Sequence, residues 1–503
     1  MANDYDVIVI GGGSAGCAAA ARLSEDPARK VLLIERAPDP QPLPEMVAEA
    51  DQARRLLLES PYLELLPTAR SLDGSVFQSL AGMLMGGGSS VNMMEMLRPL
   101  PHDLGVWTDR GVSGWTWEDA LPVFKRIESD QDFPDSPHHG DSGPLYVKRR
   151  LSFDRPMEGL EAALTETARL IGLPQCPDQN VPNPYGVSVS ARCVKDGKRQ
   201  SAVVAYLDPA RSRPNLTIIS DATVHALEVK ENRATAVRYE KDGGIEKVSG
   251  DQVVLSAGVY HSPKLLMLSG IGPPAEIERH GIRGVHALDG VGENLQDHAV
   301  VYLSYEGARP HREDWTVSGV MLNLKSDPAL AYSNFQVGIR APVHLEGLGQ
   351  INALAVHLLE QRTPGRVFLK NTDPREVPDI DPGMLEHPDD IDAVVSMMKF
   401  ADGLAKTGPM REFYGPLFQP GPGEDWARYA RTTYDSFHHG VGTCMMGPGS
   451  DPMAVVDDRL RVHGMENLRV ADASIMPVIP HSPTNNFSLM IGERLADFIR
   501  EDS

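Results

Sequence analysis

The chain has 503 residues and a formal net charge of −21, from 48 basic and 69 acidic side chains. This length is more than one hydrophobic core organises, so two or more domains are expected. The acidic balance excludes a basic nucleic-acid surface. Apolar content of 41% and charged content of 23% are those of an ordinary soluble globular protein, and 46 Gly and 40 Pro imply many turns. None of the cysteines, Cys17, Cys176, Cys193 and Cys444, form a C-x-x-C pair. A zinc knuckle and a dithiol redox motif are therefore absent, no metal site is expected, and free thiols in a reducing compartment are. The N-terminus has no basic segment before its apolar run, and no stretch has the length of a membrane span. The expectation is a cytoplasmic protein without membrane or nucleic-acid partners.

The first segment, YDVIVIGGGSAGCAAAARLSEDPARKVLLIER, reads as strand, tight turn, helix and strand. Val7 to Ile10 is a continuous apolar run, as a buried parallel strand requires. Gly11, Gly13 and Gly16 form G-x-G-x-x-G, with Ser14 inside it. The first glycine permits the turn, the second lets backbone approach a pyrophosphate, and the third lets helix and strand pack closely. The helix N-terminus would hold the pyrophosphate. Val31 to Ile34 is the second strand, and Glu35 and Arg36 follow it, where an acid can bind ribose hydroxyls. The chain then enters a Pro-rich stretch and a helix expected around Met46–Leu58, not a regular run of β-α units. That late return to the sheet fits an FAD protein better than an NAD protein.

At GMLMGGGSSVN, residues 82–92, a second glycine cluster places Gly86, Gly87, Ser89 and Asn92 where backbone, hydroxyls and an amide can meet a ligand. Here the sequence begins to resemble the glucose-methanol-choline (GMC) oxidoreductases, FAD-dependent alcohol oxidases and dehydrogenases. The resemblance continues in GVSGWTWEDALPVFKRIE, KRQSAVVAYLDPARSRPNLTI, VVLSAGVYHSPKLLMLSGIGP, VGENLQDH, HGVGTCMMG and VVDDRLRVHGMENLRVADASIMP, spanning about residues 5–298 and 362–499. Met83 departs from it, standing where Arg or Lys is usual. The resemblance implies FAD as cofactor, with Val224 meeting the adenine end through its backbone. It also implies that the segment around Asn92 runs past the flavin ring. Some members tether the flavin through a histidine just before that asparagine. Val91 stands there, so non-covalent FAD is expected.

The residues agree with that fold. Val253–Ser256 and Leu468–Ala471 are short apolar strands that can join the sheet begun by Val7–Ile10. Asp472 and Ala473 follow the last of them, within reach of the cofactor's ribityl or phosphate region. Residues near 217–239 read as a small antiparallel layer, and 301–434 as the antiparallel sheet of a substrate domain, with alternating runs such as SNFQVGI and INALAVHLL. The expected fold class is α/β and α+β, an FAD-binding Rossmann-like domain with an interleaved antiparallel-sheet substrate domain. Residues 1–150, 200–300 and 435–503 are assigned to the first and 151–199 and 301–434 to the second. In the substrate region Trp315, Phe335 and His344 are open to either pocket or core roles.

Alcohol oxidation needs a base for the hydroxyl proton and a C–H facing flavin N5. Histidine has the right intrinsic basicity. His439, in H-x-x-G-T-C-x-M-G, matches the family's catalytic histidine, and Gly440 and Gly442 let its backbone turn sharply. His438 lacks that motif position and is read as outward-facing or supporting. Cys444 reads as a buried structural residue and His138-His139 as a surface loop. The family's second catalytic residue, His or Asn, aligns with Pro483, which has no polar side chain. His481 is then the candidate partner, with Asn485 on the cofactor side. Thr484 or Asn485 is expected to cap a last helix carrying Phe487, Ile491, Leu495 and Phe498 on one face. Its N-terminus can favour electron-rich flavin.

The expected activity is oxidation of an alcohol to a carbonyl, with oxygen or another acceptor taking the electrons. Two alternatives are a lyase or photodecarboxylase of the same fold, and an FAD-binding protein without catalysis.

Overall fold

The computed structural model describes residues 4–311, 318–347 and 349–502. Its first layer is a parallel sheet with spatial order Leu216–Ile219, Val31–Ile34, Tyr5–Ile10, Gly250–Leu255, Leu468–Val470. These strands come from widely separated parts of the chain. The central ones read as unbroken Val, Leu and Ile because both faces are covered. The first helix, Ser14–Leu23, lies on the sheet through its buried alanines, and Cys17 is fully buried with them. The last helix, Thr484–Glu501, packs on the first helix so closely that a Cβ at Gly492 would lie 2.3 Å from the Ala15 carbonyl oxygen. Phe487, Ile491, Leu495 and Phe498 are all buried in this core, as is Cys444. All four cysteines are free and buried.

Two expectations about local structure change. Leu216–Ile219 joins the parallel sheet at its edge, and the antiparallel layer starts later, as Thr223–Lys230, Arg233–Lys241 and Gly244–Val248. The helix expected around Met46–Leu58 is broken into Glu45–Ala48, Ala50–Gln52 and Ala53–Glu59. The break falls at Glu49, which is extended and bridges to Lys198.

The second layer is a larger, mostly antiparallel sheet. Its main strands are, in spatial order, Tyr414–Gln419, Ala299–Gly307, Gly349–Leu358, Phe335–Ile339, Val320–Leu324 and Gly186–Val189. Val301, Leu303, Tyr305, Phe335, Val337, Leu354 and Val356 form a second core with the helices Gly159–Leu170 and Pro388–Ala405. The two-residue period of a strand then turns Tyr302, Gln336, Arg340 and His357 to the opposite face. The run at Phe335–Ile339 is buried throughout because both faces are covered. Phe335 is thus a core residue, His344 is exposed on a short edge strand, and Trp315 lies outside the described residues. Among the described residues no helix is long and apolar enough to cross a membrane.

The His138-His139 pair is not a surface feature. His139 is buried, with Nδ1 2.7 Å from Glu128 and Nε2 2.9 Å from Asp178. Arg149 joins Asp130 and Asp178 at 2.9 and 2.8 Å, and Arg98 pairs with Glu128 and with the His138 carbonyl. Ligand atoms of Glu128, Asp130 and His139 lie within 4.8 Å of one another, yet two guanidiniums already neutralise them. The cluster is therefore an ion network tying the loop to the segments around Glu128–Asp130, Arg149 and Asp178. Burial opposes a charge on His139, but the carboxylates of Asp130, Asp178 and Glu128 outweigh it and raise its pKa to about 10. Because the folded value lies above that of the unfolded chain, this stabilisation is complete below about pH 6.5 and is lost as pH rises through about 10. His139→Leu strands three buried carboxylates with too few cations. Urea denaturation at pH 7 should show a loss of about 3–5 kcal/mol, shrinking toward pH 10.

Candidate active site

A cavity of about 440 Å³ runs between the two layers. Its floor is the G-x-G-x-x-G turn. Gly11 has φ +105°, and a Cβ there would lie 2.3 Å from the Ser256 carbonyl oxygen. A Cβ at Gly16 would lie 1.9 Å from the Gly11 carbonyl oxygen. The two positions set the turn and the close helix–strand contact. The second glycine cluster closes on the first, with the Gly86 N–H donating to the Gly12 carbonyl at 2.7 Å.

Gly11, Gly13, Ser14, Glu35 and Arg36 line this cavity, as do Gly87, Asn92 and Val224. So do Asp472, Ala473, Thr484 and Asn485. Three expected cofactor contacts do not. Gly16 sits in the first turn of the helix against the Gly11 carbonyl, Gly86 bonds to the first glycine turn, and Ser89 donates to the Gly86 carbonyl while accepting from Ala202 N–H. These residues shape the turns and do not line the cavity. Glu35 accepts N–H bonds from Gly12 and Ala37 at 2.6 and 2.8 Å. Burial raises its pKa, while those N–H groups pull it down. Asp472 is held by Gly258 N–H at 2.9 Å, Ser262 Oγ at 2.6 Å and Ser474 N–H at 2.8 Å, so it fastens two parallel strands' ends together. At Val224 the antiparallel ladder slips before Ala226. Asn92 Oδ1 accepts from Met94 N–H and from Arg199.

Arg199, whose role the sequence left unassigned, is fully buried without an acidic partner among the described residues. It binds the carbonyls of Val47, Ser89 and Asn92, and so pins the turn that presents Asn92. Burial lowers its pKa to about 10, still a cation at neutral pH.

The N-termini of the first and last helices open on the cavity. Ser14 and Ala15 begin one, Thr484 and Asn485 the other, and neither helix has an acid in its first turn. Ser14 Oγ donates to Asn485 Oδ1 at 2.7 Å and ties them together. Pro483 occupies the N-cap, and Thr484 and Asn485 are the first two helical residues, so no side chain caps this end. Its free N–H groups therefore face the cavity. Two uncompensated positive helix ends fit an anionic pyrophosphate and an electron-rich ring system.

At the other end of the cavity lie Tyr302, Arg340, Asp435, Phe437, His438 and His439. His438 has φ +62° and lines the same cavity as His439, so it is not outward-facing. Burial and then Arg340 lower its pKa to about 4. His439 N–H donates to Asp297 Oδ1 at 2.9 Å, and His298 N–H donates to the same oxygen at 2.7 Å. The His439 ring meets that of His298 edge-on, with Nδ1 2.9 Å from His298 Nδ1. His298 Nε2 lies 3.0 Å from the Pro480 carbonyl oxygen, which only accepts. His298 therefore carries its proton on Nε2, and its Nδ1 must accept. His439 then donates from Nδ1, which leaves the Nε2 lone pair bare. Burial, then His298, His438 and His357, push the His439 pKa well below its usual value, so the ring is neutral at pH 7.

His481 does not join them. It lines a second cavity of about 200 Å³ with His102, Asp103, Glu360 and Arg362. Its Nδ1 pairs with Asp103 and its Nε2 lies 3.4 Å from Glu360. Burial opposes its charge, but Asp103 and Glu360 raise its pKa to about 9. It is a cation at neutral pH and faces away from His439, whereas Pro483 does line the main cavity.

A family model for GMC oxidoreductases matches residues 5–300 with its N-terminal part and 361–492 with its C-terminal part. The chain is a GMC oxidoreductase. Its cofactor is FAD and it acts on CH–OH donors. It is 34% identical to choline oxidase of Arthrobacter globiformis, covering 99% of this chain and 94% of that one. It is 33% identical to 5-(hydroxymethyl)furfural oxidase of Methylovorus sp., covering 98% of each. The crystal structure of pyridoxine 4-oxidase from Mesorbium loti superposes with a TM-score of 0.92 at 29% identity, covering 99% of both chains. Among the site residues, His298 and Asp297 close the segment VGENLQDH. Their place at the end of that motif was the available signal, but it did not say what they touch.

Gly11→Ala meets both a positive φ and the Ser256 carbonyl. The purified variant should retain less than about a tenth of the parent's bound flavin, read from the ratio of visible to ultraviolet absorbance.

Proposed function

We propose that this GMC oxidoreductase oxidises a small-molecule alcohol to a carbonyl compound, with His439 as general base. On this reading residues 1–150, 200–300 and 435–503 carry non-covalent FAD, and 151–199 and 301–434 shape the alcohol pocket. Val91 offers no nucleophile for a tether at its position. Bound FAD supplies the two-electron acceptor, later reoxidised by oxygen or another acceptor. The four buried free thiols support a reducing, cytoplasmic setting.

The observation that carries the proposal is the fixed tautomer of His439. Its bare Nε2 belongs to a neutral ring in the cavity wall, the state a base needs to take the hydroxyl proton. When that proton arrives, the Nδ1–H bond to neutral His298 strengthens and stabilises the imidazolium. His298 is thus a positioning residue, and burial lowers its pKa to about 3, which keeps it an acceptor. Asp297 holds both backbones in register. Pro483 offers no second base, and His481 is already protonated and lines the other cavity, so neither supplies a partner base for His439. Phe437 packs edge-on against the His439 ring at 4.7 Å and limits its rotation. The furfural and pyridoxine oxidases among the similar proteins favour a hydroxymethyl group on a flat ring as the substrate type.

His439→Ala should bind FAD normally and be reduced anaerobically by an alcohol at least about 100-fold more slowly. An unchanged reduction rate in stopped flow would make the assignment of the base wrong. His298→Phe should slow reduction by about ten-fold or more. His298→Asn, whose side-chain oxygen can accept from Nδ1–H, should recover part of the rate. Equal losses in the two variants would remove the tautomer argument.

A further inference from the structure

The similar proteins include choline enzymes, whose names point to a cationic substrate. The pocket wall speaks for the opposite charge. Its cations differ in how they are used. Arg36 is paired with Glu64, and Lys264 donates to the carbonyls of Pro374 and Glu376. Arg340 has no carboxylate within ion-pair distance among the described residues. Its guanidinium makes one hydrogen bond, 2.8 Å to the Tyr302 hydroxyl, and lies over that ring at 5.3 Å.

The backbone fixes where this pair points. Arg340 follows the strand Phe335–Ile339 and stands on the face opposite the apolar core, and Tyr302 shares that face on its own strand. The short strand Asp435–Ser436 pairs with Ala299 and Val300, then leads directly into Phe437, His438 and His439. Tyr302 and Arg340 therefore line the same cavity as the base. Asp435 also lines it, but its Oδ1 accepts from Ser436 N–H and it forms no ion pair with Arg340. The Tyr302 hydroxyl accepts from Arg340, so its own proton is free to be donated. Together they offer several N–H donors and one O–H donor to an acceptor oxygen.

We propose that Arg340 and Tyr302 form a site for an anionic oxygen on the substrate, so that the enzyme's alcohol is a hydroxymethyl arene or heteroarene bearing a ring carboxylate or phenolate. This rests on the alcohol-oxidation reading above. Phe437 and Tyr302 supply flat apolar surface for the ring between the two polar ends. A guanidinium with no carboxylate within ion-pair distance among the described residues disfavours a quaternary ammonium group in the same space.

The test compares benzyl alcohol, 4-(hydroxymethyl)benzoate and choline as reductants of the holoenzyme, and measures binding of redox-inert 4-methylbenzoate by calorimetry. The parent should have a KM for 4-(hydroxymethyl)benzoate at least about ten-fold below that for benzyl alcohol, with choline the poorest. Arg340→Gln should collapse the ratio between the acid and the neutral alcohol through KM and weaken 4-methylbenzoate by about ten-fold. Arg340→Lys should keep part of both effects. A parent that prefers choline or the neutral alcohol, or an Arg340→Gln variant that binds 4-methylbenzoate as tightly as the parent, overturns the proposal. If no alcohol bleaches the flavin, the oxidation reading fails, while the calorimetry still decides the anion site.

Discussion

The hydrogen bond from His298 to the Pro480 carbonyl is the constraint on which the histidine end of the cavity depends. A carbonyl oxygen can only accept, so the proton on His298 is confined to Nε2. Each later step follows from that one: His298 Nδ1 accepts, His439 Nδ1 donates, and His439 Nε2 is left bare. The constraint is cheap because every partner is neutral. It is rigid because Asp297 clasps the backbone N–H groups of both histidines. Burial supplies the rest by disfavouring charge on either ring.

The same economy of charge runs through the cofactor end. The first and last helices bring two N-termini together across the Ser14–Asn485 hydrogen bond. Charged side chains are used elsewhere as fasteners. Arg199 binds carbonyls behind Asn92, Asp472 joins strand ends, and the His139 network locks a loop. Arg340, by contrast, has no carboxylate within ion-pair distance among the described residues and bonds only the Tyr302 hydroxyl.

How much was legible beforehand differs by element. The turn at Gly11–Gly16 and the strand that follows its helix were readable because steric limits on a glycine turn leave a local pattern, whereas the FAD assignment rested on the late return to the sheet and on the family resemblance. The helix through Met46–Leu58 was misread because periodicity could not see that Glu49 would leave the helix to bridge Lys198. His138-His139 was misread for a related reason. Loop composition suggests exposure, yet Glu128, Asp130, Asp178, Arg98 and Arg149 converge on it from distant positions. His481 was a reasonable partner by proximity to Pro483 in the chain, but Asp103 and Glu360 draw it to the other side of the backbone.

By itself the sequence determined the family, the dinucleotide cradle, the existence of a second sheet and the singling out of His439, because each is written in local spacing. The pairing of His298 with His439 was decided only in three dimensions. So were the exclusion of His481, the role of Arg199 and the placement of Arg340 with Tyr302. These contacts join residues tens to hundreds of positions apart, and a hydrogen bond or a shared low-dielectric pocket has no signature until the chain has brought both partners together.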